Sequence, residues 1–363
     1  VTWEPEPVAA SYKVMRALSL GGPYNDISGS VTFDGTRATD ATVAGGTTYY
    51  YQVVATNGAG DSSTSAINSA TVPNFSVSGL TFDQAIGSIG TANGQLQLGG
   101  GTDRAGGVFV SGGLLYVTDW NNNRLQRFSA TTGVFQDWLG FVSSTWGYYT
   151  SGTSSPPTMY SPLQVDGSGN VYAVQATSSG IKKFSSTGAF LSDLPIPMAN
   201  FRRFTLDSSG NLFVQGSVAG NTIEKYDSAG SLLTSFAGLG AGSGQLNNSN
   251  TTADVVVDSA GNVYALDVGG KRLQRYDNTG AFVSSWPVEI NGYSYLAIDE
   301  TDKLYVVEDF YGTLRQYSTS GVLLAERTIP GGVVLGGGTS IFVQGGKVYL
   351  SNSNNHEVRV YSF

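Results

Sequence analysis

The stretch Val255–Trp286, VVVDSAGNVYALDVGGKRLQRYDNTGAFVSSW, contains four short runs of strand-forming residues separated by turn signals rich in Asp, Asn, Ser and Gly. The runs are Val255–Val257, Val263–Asp267, Arg272–Tyr276 and Ala281–Trp286. This pattern predicts a four-stranded antiparallel meander. A single meander leaves two open edges and an uncovered apolar face, so we do not expect it to be stable alone.

The same layout recurs six times along the chain. Each copy has an aromatic residue in its predicted second strand: Tyr116, Tyr172, Phe213, Tyr264, Tyr305 and Tyr349. A second aromatic follows in the predicted third strand: Phe128, Phe184, Tyr226, Tyr276, Tyr317 and Tyr361. Five copies then have a turn glycine: Gly133, Gly188, Gly230, Gly280 and Gly321. Six repeats of four strands, each about 40 residues long, are typical of the blades of a β-propeller.

The two ends of the repeat array complement each other. The last copy stops at Val358–Phe363 without a fourth strand, whereas an extra strand-like run, Leu80–Ile89, precedes the first copy. We therefore expect Leu80–Ile89 to pair outside Val358–Phe363 and close the ring, which removes two open edges. The predicted fold class of residues 80–363 is a closed six-bladed β-propeller, closed by strand 80–89.

Two kinds of segment in this array resemble a known family. The units Val257–Trp286 and Tyr116–Phe135 (YVTDWNNNRLQRFSATTGVF) resemble NHL repeats. So do the glycine-rich connectors Gly87–Leu98 (GSIGTANGQLQL) and Gly238–Asn248 (GLGAGSGQLNN). The resemblance covers roughly Leu80–Phe363 and is strongest in the first and fourth copies. It implies a propeller of the NHL type.

Residues 1–73 form a separate predicted unit. Its expected strands are Val1–Trp3, Tyr12–Met15, Ala41–Val43 and Tyr49–Ala55. The run GTTYYYQVVA, followed by NGAG, resembles a fibronectin type III domain, and an unrelated sandwich is the alternative. The resemblance implies a β-sandwich with Tyr49 as its corner tyrosine and Trp3 as the core tryptophan of its second strand. Residues 74–79 are the predicted linker to the propeller.

The fibronectin resemblance also implies a strand before Trp3, and the sequence starts at Val1. We therefore expect residues 1–73 to lack their first edge strand. A removed upstream segment, another stretch of the chain or a neighbouring molecule would supply it, and a chain that simply begins late would look the same. A strand donated by a neighbour predicts self-association, and head-to-tail donation predicts a filament.

The composition restricts the classes of partner. Only 13% of residues are charged, the net charge is −8 and there is no cysteine, which excludes disulfides and thiolate chemistry. The acidic balance argues against nucleic acid, for which Arg202-Arg203 is the one pair of cations on the loop-rich face. No apolar run is long enough to insert into a membrane. The polar, weakly charged make-up predicts an extracellular or cell-surface location, with the periplasm as the alternative.

One face of the predicted propeller is rich in aromatic residues. Loops joining second to third strands, and one blade to the next, share this face, which also carries the uncharged insert 141–162. We predict a binding surface for protein or glycan there, formed by Trp120, Trp146, Tyr148, Tyr149, Tyr293, Phe310 and Tyr311. The alternative is that the aromatic side chains of the insert fold back to plug the ring.

Catalytic and metal sites find little support. The single histidine, His356, lies in a predicted turn and cannot by itself build a zinc site or a Ser-His-Asp triad. Recurrent aspartates end first strands (Asp166, Asp207, Asp258, Asp299) and second strands (Asp119, Asp267, Asp309). They predict turn caps, with carboxylate-only calcium binding as the alternative; Asp119 and Asp267 are also expected to pair with Arg124 and Arg272. No catalytic residue, cofactor or metal site is predicted.

Together these features predict a non-catalytic structural or binding protein of the cell exterior that contacts protein or glycan and self-assembles. A propeller-type lyase or hydrolase, and a surface or periplasmic sensor module, are the alternatives.

Overall fold

The computed structural model describes residues 1–40, 42–43, 46–72, 79–98, 106–119, 122, 124–139, 163–174, 180–197, 203–215, 222–247, 254–290, 294–308, 312–330 and 340–363. The described elements are β-strands apart from one short 3-10 helix, Ser28–Ser30. Contacts divide the chain into two compact units. The first comprises Val1–Ser76 and Val322–Ala325, and the second comprises Val77–Gly321 and Glu326–Phe363.

The first unit contains a five-stranded sheet and a separate hairpin. Its strands are β1 (Ser11–Ala17), β2 (Asn25–Asp26), β3 (Val31–Asp34), β4 (Arg37–Asp40), β5 (Thr48–Asn57), β6 (Gly60–Asp61) and β7 (Asn68–Thr71). The sheet has the order β2-β1-β5-β6, with β7 also paired to β5, and β3 pairs with β4. Its core contains Val14, Ala38, Tyr49 and Tyr51, with Trp3 half-buried against them.

The predicted strand Ala41–Val43 of this unit is wrong. The strand here is β4, which ends at Asp40, and Thr42 and Val43 follow it outside any strand, while Ala41 lies outside the described residues. The physical reason is a turn at Asp40, whose Oδ1 accepts hydrogen bonds from the backbone N–H and the hydroxyl of Thr42 at 2.9 and 2.7 Å. The predicted strand Val1–Trp3 is reduced to a single bridge between Thr2 and Arg37.

The second unit begins with β8 (Thr81–Ile86) and continues as a series of four-stranded antiparallel sheets. The first three contain β9 (Val108–Ser111), β10 (Leu114–Asp119), β11 (Arg124–Ser129), β12 (Phe135–Leu139); β13 (Leu163–Val165), β14 (Val171–Val174), β15 (Ile181–Phe184), β16 (Phe190–Leu194); and β17 (Arg203–Leu206), β18 (Leu212–Gln215), β19 (Ile223–Tyr226), β20 (Leu232–Phe236). The fourth and fifth contain β21 (Val255–Val257), β22 (Val263–Asp267), β23 (Arg272–Tyr276), β24 (Phe282–Pro287); and β25 (Ser294–Ile298), β26 (Leu304–Glu308), β27 (Thr313–Tyr317), β28 (Leu323–Thr328).

The sixth sheet is made from both ends of this unit. It contains β29 (Ile341–Gln344), β30 (Lys347–Asn352) and β31 (Glu357–Ser362), and its fourth strand is β8. The register runs from Val358 opposite Ile86 to Ser362 opposite Thr81. This is the strand pairing expected from the short last repeat.

The apolar cores lie between consecutive sheets. Phe213 of the third sheet packs in one cluster with Val255 and Tyr276 of the fourth. Another cluster joins Ile86 of the sixth sheet to Val108 of the first. All twelve repeated aromatic residues are buried. Each sheet therefore buries its faces against its neighbours, which a lone meander cannot do.

The repeated turn glycines have two reasons to be glycine. All five have a positive φ, from 69° at Gly133 to 92° at Gly280, where L-residues are strained. Four of them, Gly133, Gly230, Gly280 and Gly321, also lie close to a neighbouring strand: a Cβ on Gly280 would be 2.5 Å from Phe236 Cδ1, and one on Gly321 would be 2.5 Å from Trp286 Cδ2. The turn of one sheet thus packs on the outer strand of the sheet before it.

Candidate functional site

The predicted aromatic binding surface lies outside the described residues. Those positions are Trp120, Trp146, Tyr148, Tyr149, Tyr293, Phe310 and Tyr311. Asp309 and the whole insert 141–162 also lie outside them. The aromatic surface therefore stays a prediction.

Buried carboxylates hold the two glycine-rich connectors. In the first sheet Asp119, which is fully buried, accepts hydrogen bonds from Arg124 Nε and from the backbone N–H of Gln97, both at 2.6 Å. Arg124 in turn donates to the connector carbonyls of Ala92 and Gln95 at 2.7 and 2.8 Å. We call this arrangement the first connector latch.

The second connector latch repeats this geometry in the fourth sheet. Asp267 accepts from Arg272 Nε at 2.8 Å and from the backbone N–H of Asn247 at 2.9 Å. Arg272 donates to the carbonyls of Gly242 and Gln245 at 2.7 and 2.9 Å. The predicted pairing of both aspartates with arginines is confirmed, and their carboxylates are engaged in holding backbone.

The aspartates that end first strands cap turns. Asp258 Oδ1 accepts from the backbone N–H of Ala260 and Asn262, and Oδ2 accepts from Tyr264 Oη at 2.9 Å. Asp166 and Asp299 make the corresponding bonds. Their recurrence thus reflects turn geometry, and in the part of the chain that the structure describes no three metal-ligating side chains cluster.

His356 also contributes to the scaffold. Its Nδ1 accepts a hydrogen bond of 3.0 Å from the backbone N–H of Leu98, at the end of the first connector. The residue has a positive φ of 54°, as turn residues often do. The predicted turn position is confirmed, and the imidazole fastens the sixth sheet to the segment that leads into the first.

A cavity that sequence reasoning missed lies where the first strands of all six sheets meet. Its volume is about 280 Å³, and each sheet contributes residues to its wall: Phe109, Gln164, Phe204, Val256, Ala297 and Phe342 among them. Three polar side chains line it where first strands begin, namely Arg203, Asp254 and Ser340. They form the candidate functional site.

Asp254 is the chemically unusual group of this site. It is 6% exposed, and it accepts backbone hydrogen bonds from Val255 at 3.1 Å and Leu296 at 3.0 Å. Arg203 Nε lies 3.9 Å from Asp254 Oδ1, and its guanidinium lies over the Tyr295 ring at 5.5 Å. Burial raises the pKa of Asp254, although Arg203 and the two N–H donors act in the opposite direction.

A carboxyl beside a guanidinium in a cavity can do two things chemically. It can orient a small polar ligand by hydrogen bonds, or it can transfer a proton, for which a raised carboxyl pKa is suited. The sequence contains one signal for this site, a carboxylate (Asp254) directly before the apolar run Val255–Val257. In the sequence Arg203 stands out only as half of the cation pair Arg202-Arg203. In the structure Arg203 faces Asp254, whereas Arg202 lies outside the described residues.

Comparisons with known proteins agree with the repeat pattern. The model of the NHL repeat family matches residues 102–128, which contain β9, β10 and most of β11. A search of curated protein sequences finds no significant match. Among the described residues there is no helix long and apolar enough to cross a bilayer.

Several solved structures are similar at low identity. A streptogramin B lyase has 17% identity and a TM-score of 0.48 over 71% of this chain and 82% of that one. A virginiamycin B lyase from Staphylococcus aureus has 11% identity and a TM-score of 0.47 over 97% and 100%. A luciferin-regenerating enzyme has 16% and 0.49 over 74% and 93%. Their activities belong to those proteins. This chain is an all-β protein with an NHL repeat and the sheet pattern of a β-propeller.

Proposed function

We propose that the second unit is a closed six-bladed propeller of the NHL type and that the protein is a non-catalytic binding and structural protein of the cell exterior. Closure is supported by the cavity with walls from all six sheets, and by the contact between β29 and β9, the first strands of the last and first sheets. The cluster that contains both Ile86 and Val108 supports it further.

For the first unit we propose a sandwich like a fibronectin type III domain. The five-stranded sheet and the β3–β4 hairpin enclose Val14, Ala38 and Tyr51, and the Thr2 bridge extends the hairpin side. Trp3 packs against Tyr12, with ring centroids 5.0 Å apart and the ring planes tilted by 57°. A cleft of about 660 Å³ along this unit is compatible with self-association through an added strand.

The observation that carries the binding role is that the described recurrent aspartates and His356 all hydrogen-bond to the protein's own backbone. The carboxylates of Asp119 and Asp267 and the imidazole of His356 hold connectors, and those of Asp166, Asp258 and Asp299 cap turns. The repeats thus act as a rigid frame, and chemistry that recognises a partner is left to the loops between them. We propose that protein or glycan binds at the aromatic surface, without nucleic acid and without membrane insertion.

An alanine series on the aromatic surface tests this proposal. Trp146→Ala and Tyr148→Ala, alone and with Trp120→Ala, are measured against an immobilised glycan panel and against intact cells. Val134→Ala is the control, because Val134 is 58% exposed on a hairpin turn of the opposite face. We expect loss of binding of 30-fold or more at unchanged melting temperature, in line with about 2 kcal/mol for an aromatic anchor. Unchanged binding with lower stability would assign the rings to the core.

A second function is favoured by one observation, the buried Asp254 beside Arg203 in the cavity. That pair suits a lyase or hydrolase that moves a proton. Turnover of lactone and ester substrates by the wild type that Asp254→Asn abolishes would establish catalysis, whereas a ligand-induced change in tryptophan fluorescence without turnover would favour a sensor module.

A further inference from the structure

The cavity where the six first strands meet is polar at one end and apolar along part of its wall. Arg203, Asp254 and Ser340 line the polar end, where first strands begin. Phe109 and Phe342, whose ring centroids are 4.5 Å apart, belong to the wall formed by the first and sixth sheets. A concave site with a few convergent polar groups and an apolar wall is the usual form of a small-molecule pocket.

The aromatic part of the wall lies close to the polar end. Phe109 is opposite Tyr116, the repeated aromatic residue of its second strand. Val256 is opposite Tyr264, the equivalent residue of the fourth sheet, so Val256 and Phe109 occupy the same level. Asp254 precedes Val256 by two residues, which span about 6.5 Å of strand. A ligand with its polar head at Asp254 can therefore reach the phenylalanine rings with a short side chain.

Asp254 has acceptor capacity for a cationic group. Its Oδ1 accepts a hydrogen bond from the backbone N–H of Val255 at 3.1 Å and its Oδ2 accepts one from Leu296 at 3.0 Å, and each oxygen can accept a second. Arg203 Nε lies 3.9 Å from Oδ1, beyond hydrogen-bond length. Burial raises the pKa of Asp254 against the effect of these neighbours, so its negative charge is incompletely balanced. An ammonium group on a ligand would balance it.

We propose that this cavity binds an α-amino acid with an apolar side chain, its ammonium group on Asp254 and its carboxylate on Arg203. With standard bond lengths, the nitrogen and the nearer carboxylate oxygen of an amino acid are about 2.7 Å apart. Hydrogen bonds of about 2.8 Å at each end close a four-atom arrangement with the 3.9 Å between Arg203 and Asp254. The side chain then lies along Phe109 and Phe342. The inference rests on the Asp254–Arg203 site of the second function above, and it requires neither turnover nor the aromatic surface.

The charges around the cavity disfavour ligands that carry only one sign of charge. A simple carboxylic acid would meet Asp254 and, where the first strands end, Asp299 and Glu300, in a chain of net charge −8. A simple amine would meet Arg203 at the polar end. A zwitterion carries both charges and gives each of them a partner of opposite sign. Glu300 is exposed, so the cavity opens to solvent at the end away from Asp254.

The volume of the cavity limits the size of the ligand. About 280 Å³ is the share of about nine water molecules at roughly 30 Å³ each. A single amino acid such as leucine, with about nine non-hydrogen atoms, matches this space. A peptide or an oligosaccharide exceeds it, so the ligand class is a free amino acid.

Isothermal titration calorimetry of the full chain at neutral pH tests the proposal on the wild type. L-phenylalanine and L-leucine should bind. Hydrocinnamate, which lacks the ammonium group, and phenethylamine, which lacks the carboxylate, should bind at least tenfold more weakly than L-phenylalanine. No binding of either amino acid up to about 10 mM overturns the proposal. Equal affinity for L-phenylalanine and its two analogues also overturns it, because the charges would then go unrecognised.

Two variants assign the two contacts separately. Asp254→Asn should weaken L-phenylalanine at least tenfold and leave hydrocinnamate unchanged or tighter, because only the ammonium group contacts Asp254. Arg203→Gln should weaken L-phenylalanine and leave phenethylamine unchanged or tighter. Asp137→Asn removes the same charge from an exposed ion pair of β12 and should leave all affinities unchanged. An equal loss for all three compounds in folded Asp254→Asn would mean a structural role and overturn the proposal.

The remaining outcomes separate this inference from the proposed functions. Thermal melting shows whether each variant folds, and the wild-type series decides by itself if one does not. Amino-acid binding by a protein that binds neither glycan nor cells supports this inference and counts against the aromatic surface. Turnover of esters without amino-acid binding supports a hydrolase and overturns the ligand class proposed here.

Discussion

Asp119→Asn tests whether the first connector latch stabilises the second unit. The fully buried carboxylate accepts hydrogen bonds from Gln97 N, Arg124 Nε and Gln126 Nε2 at 2.6, 2.6 and 2.9 Å. Asparagine keeps the shape, but it lacks the charge and turns an NH₂ group toward a donor. The partly buried Arg124 guanidinium and at least one further donor then lose their charged acceptor.

The size of the effect follows from the partners that remain. Removing one partner of a buried ion pair costs about 3–5 kcal/mol. Arg124 keeps the carbonyls of Ala92 and Gln95, so we expect the lower end, about 3 kcal/mol. With a urea m-value of about 3 kcal/mol/M, the unfolding midpoint falls by about 1 M.

Equilibrium urea unfolding followed by tryptophan fluorescence measures this fall, with two matched variants. Asp267→Asn should lower the midpoint equally, since the second latch has the same bonds. Asp137→Asn breaks an ion pair whose acid is 50% exposed and should cost less than about 1 kcal/mol. A cost for Asp119→Asn within about 0.5 kcal/mol of that for Asp137→Asn would refute the reasoning.

Four further outcomes are expected. Gly280→Ala should destabilise by about 1–3 kcal/mol in thermal unfolding, because its φ is 92° and Phe236 lies where a Cβ would go; no change would contradict that packing. Deleting residues 80–89 should cause aggregation visible by light scattering, since β31 loses its partner, and a soluble monomer of near-normal stability would argue against closure. Burial raises the pKa of Asp254 in the folded protein, so its contribution to folding stability is greatest below its unfolded pKa near 3.8 and is lost as pH rises through its folded pKa. The urea midpoint of wild type should therefore fall relative to that of Asp254→Asn as pH increases. Asp299 is the opposite case, because its hydrogen bonds lower its pKa although burial acts to raise it. The urea midpoint of wild type should therefore rise relative to that of Asp299→Asn as pH rises from about 3. Equal pH dependence of the midpoint in the two proteins would contradict the assignment.

Local chemistry made the repeats predictable. In the segment Val255–Trp286, three predicted runs coincide with β21, β22 and β23: Val255–Val257, Val263–Asp267 and Arg272–Tyr276. The bounds were predictable because turn residues whose side chains bond to the turn backbone flank each run. The fourth run differs from β24 by one residue at each end. In the first unit, the predicted strand after Asp40 was wrong because its carboxylate bends the chain at Thr42.

The candidate site could not be predicted in the same way. Arg203 and Asp254 belong to different sheets, and their approach depends on how the first strands gather around one cavity. Nothing local in either segment encodes that distance. The pairing of Asp119 with Arg124 was predictable because the two residues are close in the sequence and end and begin adjacent strands. Sequence reasoning therefore succeeded within a sheet and failed between sheets.

The sixth sheet, assembled from β8 and the last three strands, sets an order of events during synthesis. Val358 is synthesised roughly 270 residues after its partner Ile86. At roughly 5–20 residues per second, β8 waits about 14 to 54 s with an unpaired edge and an uncovered phenylalanine. Five sheets can form in that interval, and the last joins both ends in one late step. The nascent chain thus exposes β8 to chaperones and proteases throughout this interval, and ribosome stalling before β29 should release a protein with five sheets formed and β8 unpaired.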